Sequence, residues 1–303
     1  MAVPIILKVD VDTLRGTREG VPQLVRLFDQ HQVPATFLFS LGPDNTGRAI
    51  RRVFRPGFLS KVSRTSVLSH YGLKTLLYGT LLPGPQIAQR AFREMQAVQK
   101  AGYETGVHTW DHNAWQDCLA QADDAWVERT MSQSLNAYRQ VFGTAPRTHG
   151  AAGWQMHPHA FRLLDRLGFQ VSSDCRGHSP FLPVVDGTTY RCPQVPTTLP
   201  TLDELIGVDG LDETNVAQAL LARTQEHPAT VHVFTLHAEL EGMKMIGILD
   251  QLIQGWKAQG YDFQTLGNFA ATLNPATLPR HAVEQGEVPG RSGNLCLQGK
   301  LLD

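Results

Sequence analysis

Short runs of β-branched and aromatic residues recur along this chain, and between them the apolar residues repeat with helical period. The strand-like runs are Val3–Val9, Ala35–Ser40, Tyr103–His108, Arg147–Ala151, Phe169–Ser173, Tyr190–Val195 and Val231–Leu236. Val21, Leu24, Val25 and Phe28 keep the i, i+3, i+4, i+7 spacing of one helix face. Val127, Met131, Leu135 and Tyr138 form a similar stripe, and Ile246, Leu249, Ile253 and Trp256 a third. Each stripe reads as a core-facing helix. Strands that alternate with helices predict an α/β fold built on a parallel sheet.

Polar residues choose between a barrel and an open sheet. Asp10 and Asp12 follow the first strand, His108 ends the third, Gly150–Gly153 follows the fourth, Asp174 the fifth, Pro196 the sixth and His237 the seventh. A barrel brings all these carboxyl ends to one face, whereas an open sheet scatters them along its edge. We therefore expect a distorted (β/α)7 barrel over residues 1–278.

Two segments break the rhythm. From Asn45 to Arg93 there is no Asp or Glu but nine basic residues, which leaves 18 basic against 28 acidic residues elsewhere. This predicts a basic, partly apolar insertion after the second strand, over 46–85. Within it Arg51, Arg52, Arg55, Phe58 and Lys61 have the mixture of an interfacial element facing an anionic membrane surface. The last residues, 279–303, show little periodicity and are expected to form a disordered tail.

The chain as a whole carries a formal charge of −1, so no nucleic-acid partner is expected. Its four cysteines, Cys118, Cys175, Cys192 and Cys296, contain no CxxC pair and read as reduced thiols. The N-terminus lacks the basic and long apolar regions of a signal peptide, and no stretch approaches a spanning helix. A cytoplasmic, soluble or peripheral protein is the expectation.

His108-Thr-Trp-Asp-His112 sets two imidazoles four residues apart at a strand end, a metal-ligand spacing. Asp10-Val-Asp12 puts two carboxylates on one face of an apolar strand, where burial without a cation or hydrogen-bonding partner is costly. One can ligate a metal while the other sits beside it as a base. Two histidines and one carboxylate leave coordination positions open, as a catalytic metal requires, and suit zinc, manganese, cobalt or iron. His237 follows the last apolar strand and faces this cluster across the barrel mouth, placed to donate a proton to a leaving amine.

Taken together, Asp10 and Asp12, HTWDH at 108–112 and LH at 236–237 resemble the polysaccharide deacetylase family in order and spacing, over residues 3 to 275. The resemblance implies a divalent metal held by Asp12, His108 and His112, with Asp10 as general base and His237 as general acid. Within the family, DVDTLRGTREGVP at 10–22, FSLGPDNTGR at 39–48, GVHTWDHNAWQ at 106–116, AAGW at 151–154, SSDCRG at 172–177, QVPTTLPTLDE at 194–204 and LHAELEG at 236–242 are similar to deformylases of a lipid-linked formamido-arabinose in lipid A modification. That likeness implies a lipid-linked amino-sugar substrate at the cytoplasmic face of the inner membrane, and it adds Arg15, Trp154, Asp174, Arg176 and Glu239 as residues supporting substrate or ligands. Arg15 and Arg176 are the candidates for orienting the base. The rival readings are an N-deacetylase of another amino sugar or glycan and, from a different class, a barrel that binds anionic lipid or nucleic acid without catalysis.

Overall fold

The computed structural model describes residues 2–49, 74–226, 229–291 and 293–302. The chain lays down β1 (Pro4–Val11), β2 (Thr36–Ser40), β3 (Glu104–Thr109), β4 (Thr148–His149) and β5 (Val171–Ser172), each parallel to and beside the one before. A small hairpin follows, β6 (Leu182–Val185) with β7 (Thr188–Thr189). The chain then returns to the free edge of β1 with β8 (His232–His237), and β9 (Asp262–Gln264) pairs with the first residues of β1. The resulting order, β5-β4-β3-β2-β1-β8, makes a curled parallel sheet with β1 at its heart.

Alternation along β1 sorts its side chains. Ile5, Leu7, Val9 and Val11 enter the main core with Leu24, Phe28, Met95, Leu249, Ile253 and Trp256 from the surrounding helices. Ile6 instead joins Val171, Val195, Val231 and Val233 in a separate cluster on the opposite, inner face of the strand. Lys8 and Asp10 share the face of Ile6. The helical stripes seen in the sequence fall on helices Val21–His31, Asp124–Phe142 and Ile246–Ala258. That of Asp124–Phe142 spans two cores, since Val127, Met131 and Leu135 pack with Trp115 and Phe161 while Tyr138 packs with the main cluster.

Three sequence expectations need correction or restriction. The sixth run, Tyr190–Val195, is not a regular strand. Gln194 makes isolated bridges to Ser172 and Phe181, and Val195 N–H donates to the Ser172 carbonyl at 2.8 Å. Pro193 and Pro196 remove the donors a continuous ladder needs. The stretch still spans the gap in the curl, because Thr198 and Leu199 N–H both donate to the Val233 carbonyl of β8 at 3.2 Å.

The segment expected to be a disordered tail is instead a hairpin, β10 (Arg280–Gly286) with β11 (Leu295–Leu302). β10 pairs in parallel with β6, giving a second sheet of order β11-β10-β6-β7. Leu295 and Cys296 are buried against the core of Trp115 and Phe161. These strands alternate too weakly to read locally, and partners more than ninety residues away in sequence give them their order.

Of the insertion, Arg51, Arg52, Arg55, Phe58 and Lys61 lie outside the described residues. Its neck is pinned, with Gly47 N–H donating to the Tyr78 carbonyl at 2.9 Å and Arg48 Nε to that of Gly79 at 3.1 Å. Just beyond, Leu81 is 81% exposed and Leu82 39%. Among the described residues no helix is long and apolar enough to cross a membrane.

Candidate metal centre and active site

The carboxyl ends of β1, β3 and β8 bring five of the expected residues to one mouth. Asp12 follows the last residue of β1, and its Oδ1 and Oδ2 lie 3.2 Å from His108 Nε2 and 3.4 Å from His112 Nε2. One ligand atom from each of the three residues falls within 4.8 Å of the others. His108 gains its aim from a one-residue irregularity in the β2–β3 register, where Phe39 pairs with Val107 and Ser40 with Thr109. Its Nδ1 donates to the Gly150 carbonyl at 2.6 Å, which leaves Nε2 directed at Asp12. His112 opens the helix His112–Cys118, capped by Asp111, whose Oδ1 accepts from Ala114 N–H at 3.0 Å.

Burial alone would raise the Asp12 carboxyl, but the His112, His108 and His237 imidazoles outweigh it and hold the group well below the usual carboxylate range. Burial would lower His108, and the Asp10 and Asp12 carboxylates reverse that and raise it. Asp12 Oδ1 is buried with no hydrogen-bond partner. A buried carboxylate set between two imidazoles, with one oxygen unsatisfied, fits a divalent cation, and Asp12, His108 and His112 are the residues that would hold it.

Asp10 lies beside this cluster. Its Oδ1 is 3.9 Å from His108 Nδ1 and also lacks a hydrogen-bond partner, while its Oδ2 is 3.5 Å from Lys8 Nζ. In the sheet Asp10 is the register partner of His237, so both side chains belong to the same wall of the mouth. His237 N–H donates to Glu241 Oε2 at 2.7 Å. Glu241 is fully buried, and that burial pushes its carboxyl up to about 7 against the opposing pull of His237.

Glu239 braces the loop that carries Asp12. Its Oε1 accepts from Asp12 N–H at 3.1 Å, Thr13 N–H at 2.8 Å and Thr13 Oγ1 at 2.7 Å. Burial, reinforced by the Asp12 charge, pushes the Glu239 carboxyl up to about 8. A Cβ on Gly16 would come within 1.9 Å of that same Oε1, so only glycine permits the approach.

The remaining expected residues stand further back. Asp174 is buried and accepts from His149 Nδ1 at 2.7 Å, Ala151 N–H at 2.8 Å and Gln194 Nε2 at 2.9 Å, tying β4, β5 and the irregular wall together. Trp154 sits in the left-handed region at φ +53°, and its ring carries Lys8, Arg176 and Arg291 at 5.1, 5.0 and 4.8 Å. Arg176 pairs with Glu204 at 2.6 Å and Arg15 with Glu19 at 3.0 Å. Lys8 is a cation beside Asp10, its Nζ 3.5 Å from Oδ2. Sequence reasoning passed over Lys8, although a lysine inside the apolar run Ile5-Ile6-Leu7, two residues before Asp10, was its visible signal. It also missed Asn45, whose Nδ2 donates to Asp111 Oδ2 at 2.6 Å and so joins the neck of the insertion to the cap of the His112 helix.

The polysaccharide deacetylase family model matches residues 5–172. The 4-deoxy-4-formamido-L-arabinose-phosphoundecaprenol deformylase ArnD of Shewanella sediminis is 34% identical over 297 residues, 98% of this chain and 95% of that protein. The protein of the same name from Wigglesworthia glossinidia brevipalpis is 29% identical and covers 95% of this chain and 99% of its own. In three dimensions a polysaccharide deacetylase from Mycobacterium smegmatis superimposes with a TM-score of 0.64 at 17% identity, over 94% of each chain, which shows the shared fold. With its sheet, its Asp-His-His cluster and relatives that match it from end to end, the chain belongs to the polysaccharide deacetylase family, alongside the formamido-arabinose deformylases.

Proposed function

We propose that this chain hydrolyses the formamide of a lipid-linked 4-deoxy-4-formamido-L-arabinose, releasing formate and the 4-amino sugar. The observation that carries the reading is the convergence of Asp12, His108 and His112 beside a second buried carboxylate and a histidine, in a chain whose full-length relatives bear that activity in their names. Asp12, His108 and His112 would hold a divalent cation, zinc, manganese or cobalt, which would supply Lewis acidity for attack on the amide. Asp10, with Oδ1 unpartnered, accepts the proton of the water as its oxygen bonds to the formyl carbon. His237 gives a proton to the sugar nitrogen as the C–N bond breaks. Glu239 keeps the Asp12 loop in place while Glu241 holds the backbone of His237.

The lipid tail requires access from a membrane. The exposed Leu81 and Leu82, together with the basic run that includes Arg51, Arg52 and Arg55, support peripheral attachment at the cytoplasmic face of the inner membrane. The decisive experiment is mass spectrometry of synthetic formamido-arabinose lipid phosphate and its acetamido analogue after incubation with the metal-loaded protein. Loss of the formyl group alone is the expected result. Preferential loss of acetyl would make the chain an N-deacetylase, and no loss from either would remove the enzymatic reading.

A further inference from the structure

Lys8 lies in the middle of β1 and is fully buried. An ammonium taken out of water is costly, and an apolar side chain of similar volume would fill the same space, so packing alone does not account for it. Nζ is 3.5 Å from Asp10 Oδ2, donates to the Ser173 carbonyl at 3.1 Å and lies 5.1 Å from the centre of the Trp154 ring. These partners come from β1, from the residue after β5 and from the turn after β4. The barrel is cut to admit the chain, because a Cβ on Gly150 would stand 3.1 Å from Lys8 Cε. The carbonyl of that same glycine orients His108.

The two oxygens of Asp10 are therefore unlike. Oδ2 faces an anchored cation, whereas Oδ1 is buried without a hydrogen-bond partner on the side of His108. We propose that Lys8 is the positioning residue of this active site, fixing Oδ2 of Asp10 so that Oδ1 is presented to the reacting water. The assignment rests on the reading of Asp10 as proton acceptor given above. Ser173 and Trp154 contact the same ammonium and anchor it beside Asp10.

The test is a double-mutant cycle on the full-length, metal-loaded protein, reading formate release from a short-chain soluble analogue of the substrate. Lys8→Met should keep its metal by elemental analysis and lose kcat about a hundredfold, with KM changed less than about threefold. In the Asp10→Asn background the same substitution should lower kcat no further, because the group through which Lys8 acts is already disabled. Equal losses in both backgrounds, or full kcat in Lys8→Met, would overturn the proposal. Should Lys8→Met fail to fold, Lys8→Ala with and without methylammonium carries the test. Recovery of kcat with the amine supports positioning by charge, and no recovery overturns it. Full activity of Asp10→Asn would instead overturn the assignment of the base, whereas an inactive Asp10→Asn beside a fully active Lys8→Met overturns the role of Lys8 alone.

Discussion

Asp12 stands 3.2 and 3.4 Å from two imidazoles, whereas Asp10 faces a buried ammonium at 3.5 Å and leaves its other oxygen open. Different surroundings predict different losses. Asp12→Ala, His108→Ala and His112→Ala should each abolish bound metal along with activity, since each removes one of the three proposed ligands. Asp10→Asn should keep the metal and lose turnover by about 10²- to 10⁴-fold, because an amide cannot accept the proton. Elemental analysis with kinetics on the same preparations checks both, and the converse pattern for Asp10→Asn and Asp12→Asn would exchange the two roles. Glu241 offers a test through stability. Burial raises its carboxyl from the ordinary value of 4.5 to about 7, so the folded state holds the proton more tightly than the unfolded chain. That contribution is fully present below pH 4.5 and is lost as pH rises through about 7. Glu241→Gln should flatten this slope, gaining on the wild type by about 1–3 kcal/mol between pH 5 and pH 8 in urea unfolding. Parallel pH profiles would show that the carboxyl is not buried in its protonated form.

At the scale of elements, two connections bear on the site from outside the sheet. Asp111 caps the helix that starts with His112 and binds Asn45 at the neck of the insertion, so one carboxylate secures a proposed ligand and a distant loop together. Asp111→Ala should cost about 1 kcal/mol from the lost cap. It should also weaken metal affinity by about tenfold, measured by competition with a chromophoric chelator, because His112 loses its fixed start. The C-terminal hairpin is the second connection. Arg291 reaches from the turn between β10 and β11 to Asp203 at 2.9 Å and to the Trp154 ring, while Leu295 is buried. Leu295→Ala should destabilise the protein by about 2–5 kcal/mol, as expected for a leucine in a packed core. An unchanged denaturation midpoint would mean that the hairpin adds nothing to the core.

Charge is divided unevenly across the whole molecule, with nine basic and no acidic residues between Asn45 and Arg93 against 18 basic and 28 acidic elsewhere. A near-neutral protein with one basic, partly apolar segment should bind anionic vesicles at low ionic strength and release as salt screens the attraction. Flotation measures this directly. Charge reversal at Arg51, Arg52 and Arg55 should weaken flotation and raise KM for the lipid-linked substrate while sparing a soluble analogue. Equal losses on both substrates would assign the segment to packing.

Periodicity within a few residues was enough to place β1, β2, β3 and β8, the three helical stripes, and the spacing that sets Asp10 with Asp12 and His108 with His112. Those features depend on how one strand or one helical turn disposes its own side chains, so they are written locally. The cation beside Asp10 is not of that kind. The family resemblance offered Arg15 or Arg176 as candidates; in the fold Arg15 pairs with Glu19 and Arg176 with Glu204. Lys8 reaches Asp10 because the curl of the sheet brings Ser173, 165 residues away, under its ammonium. The docking of the C-terminal hairpin on β6 and the irregularity that aims His108 likewise follow from pairing between distant segments. Such pairing is a property of the tertiary fold, and no window of neighbouring residues contains it.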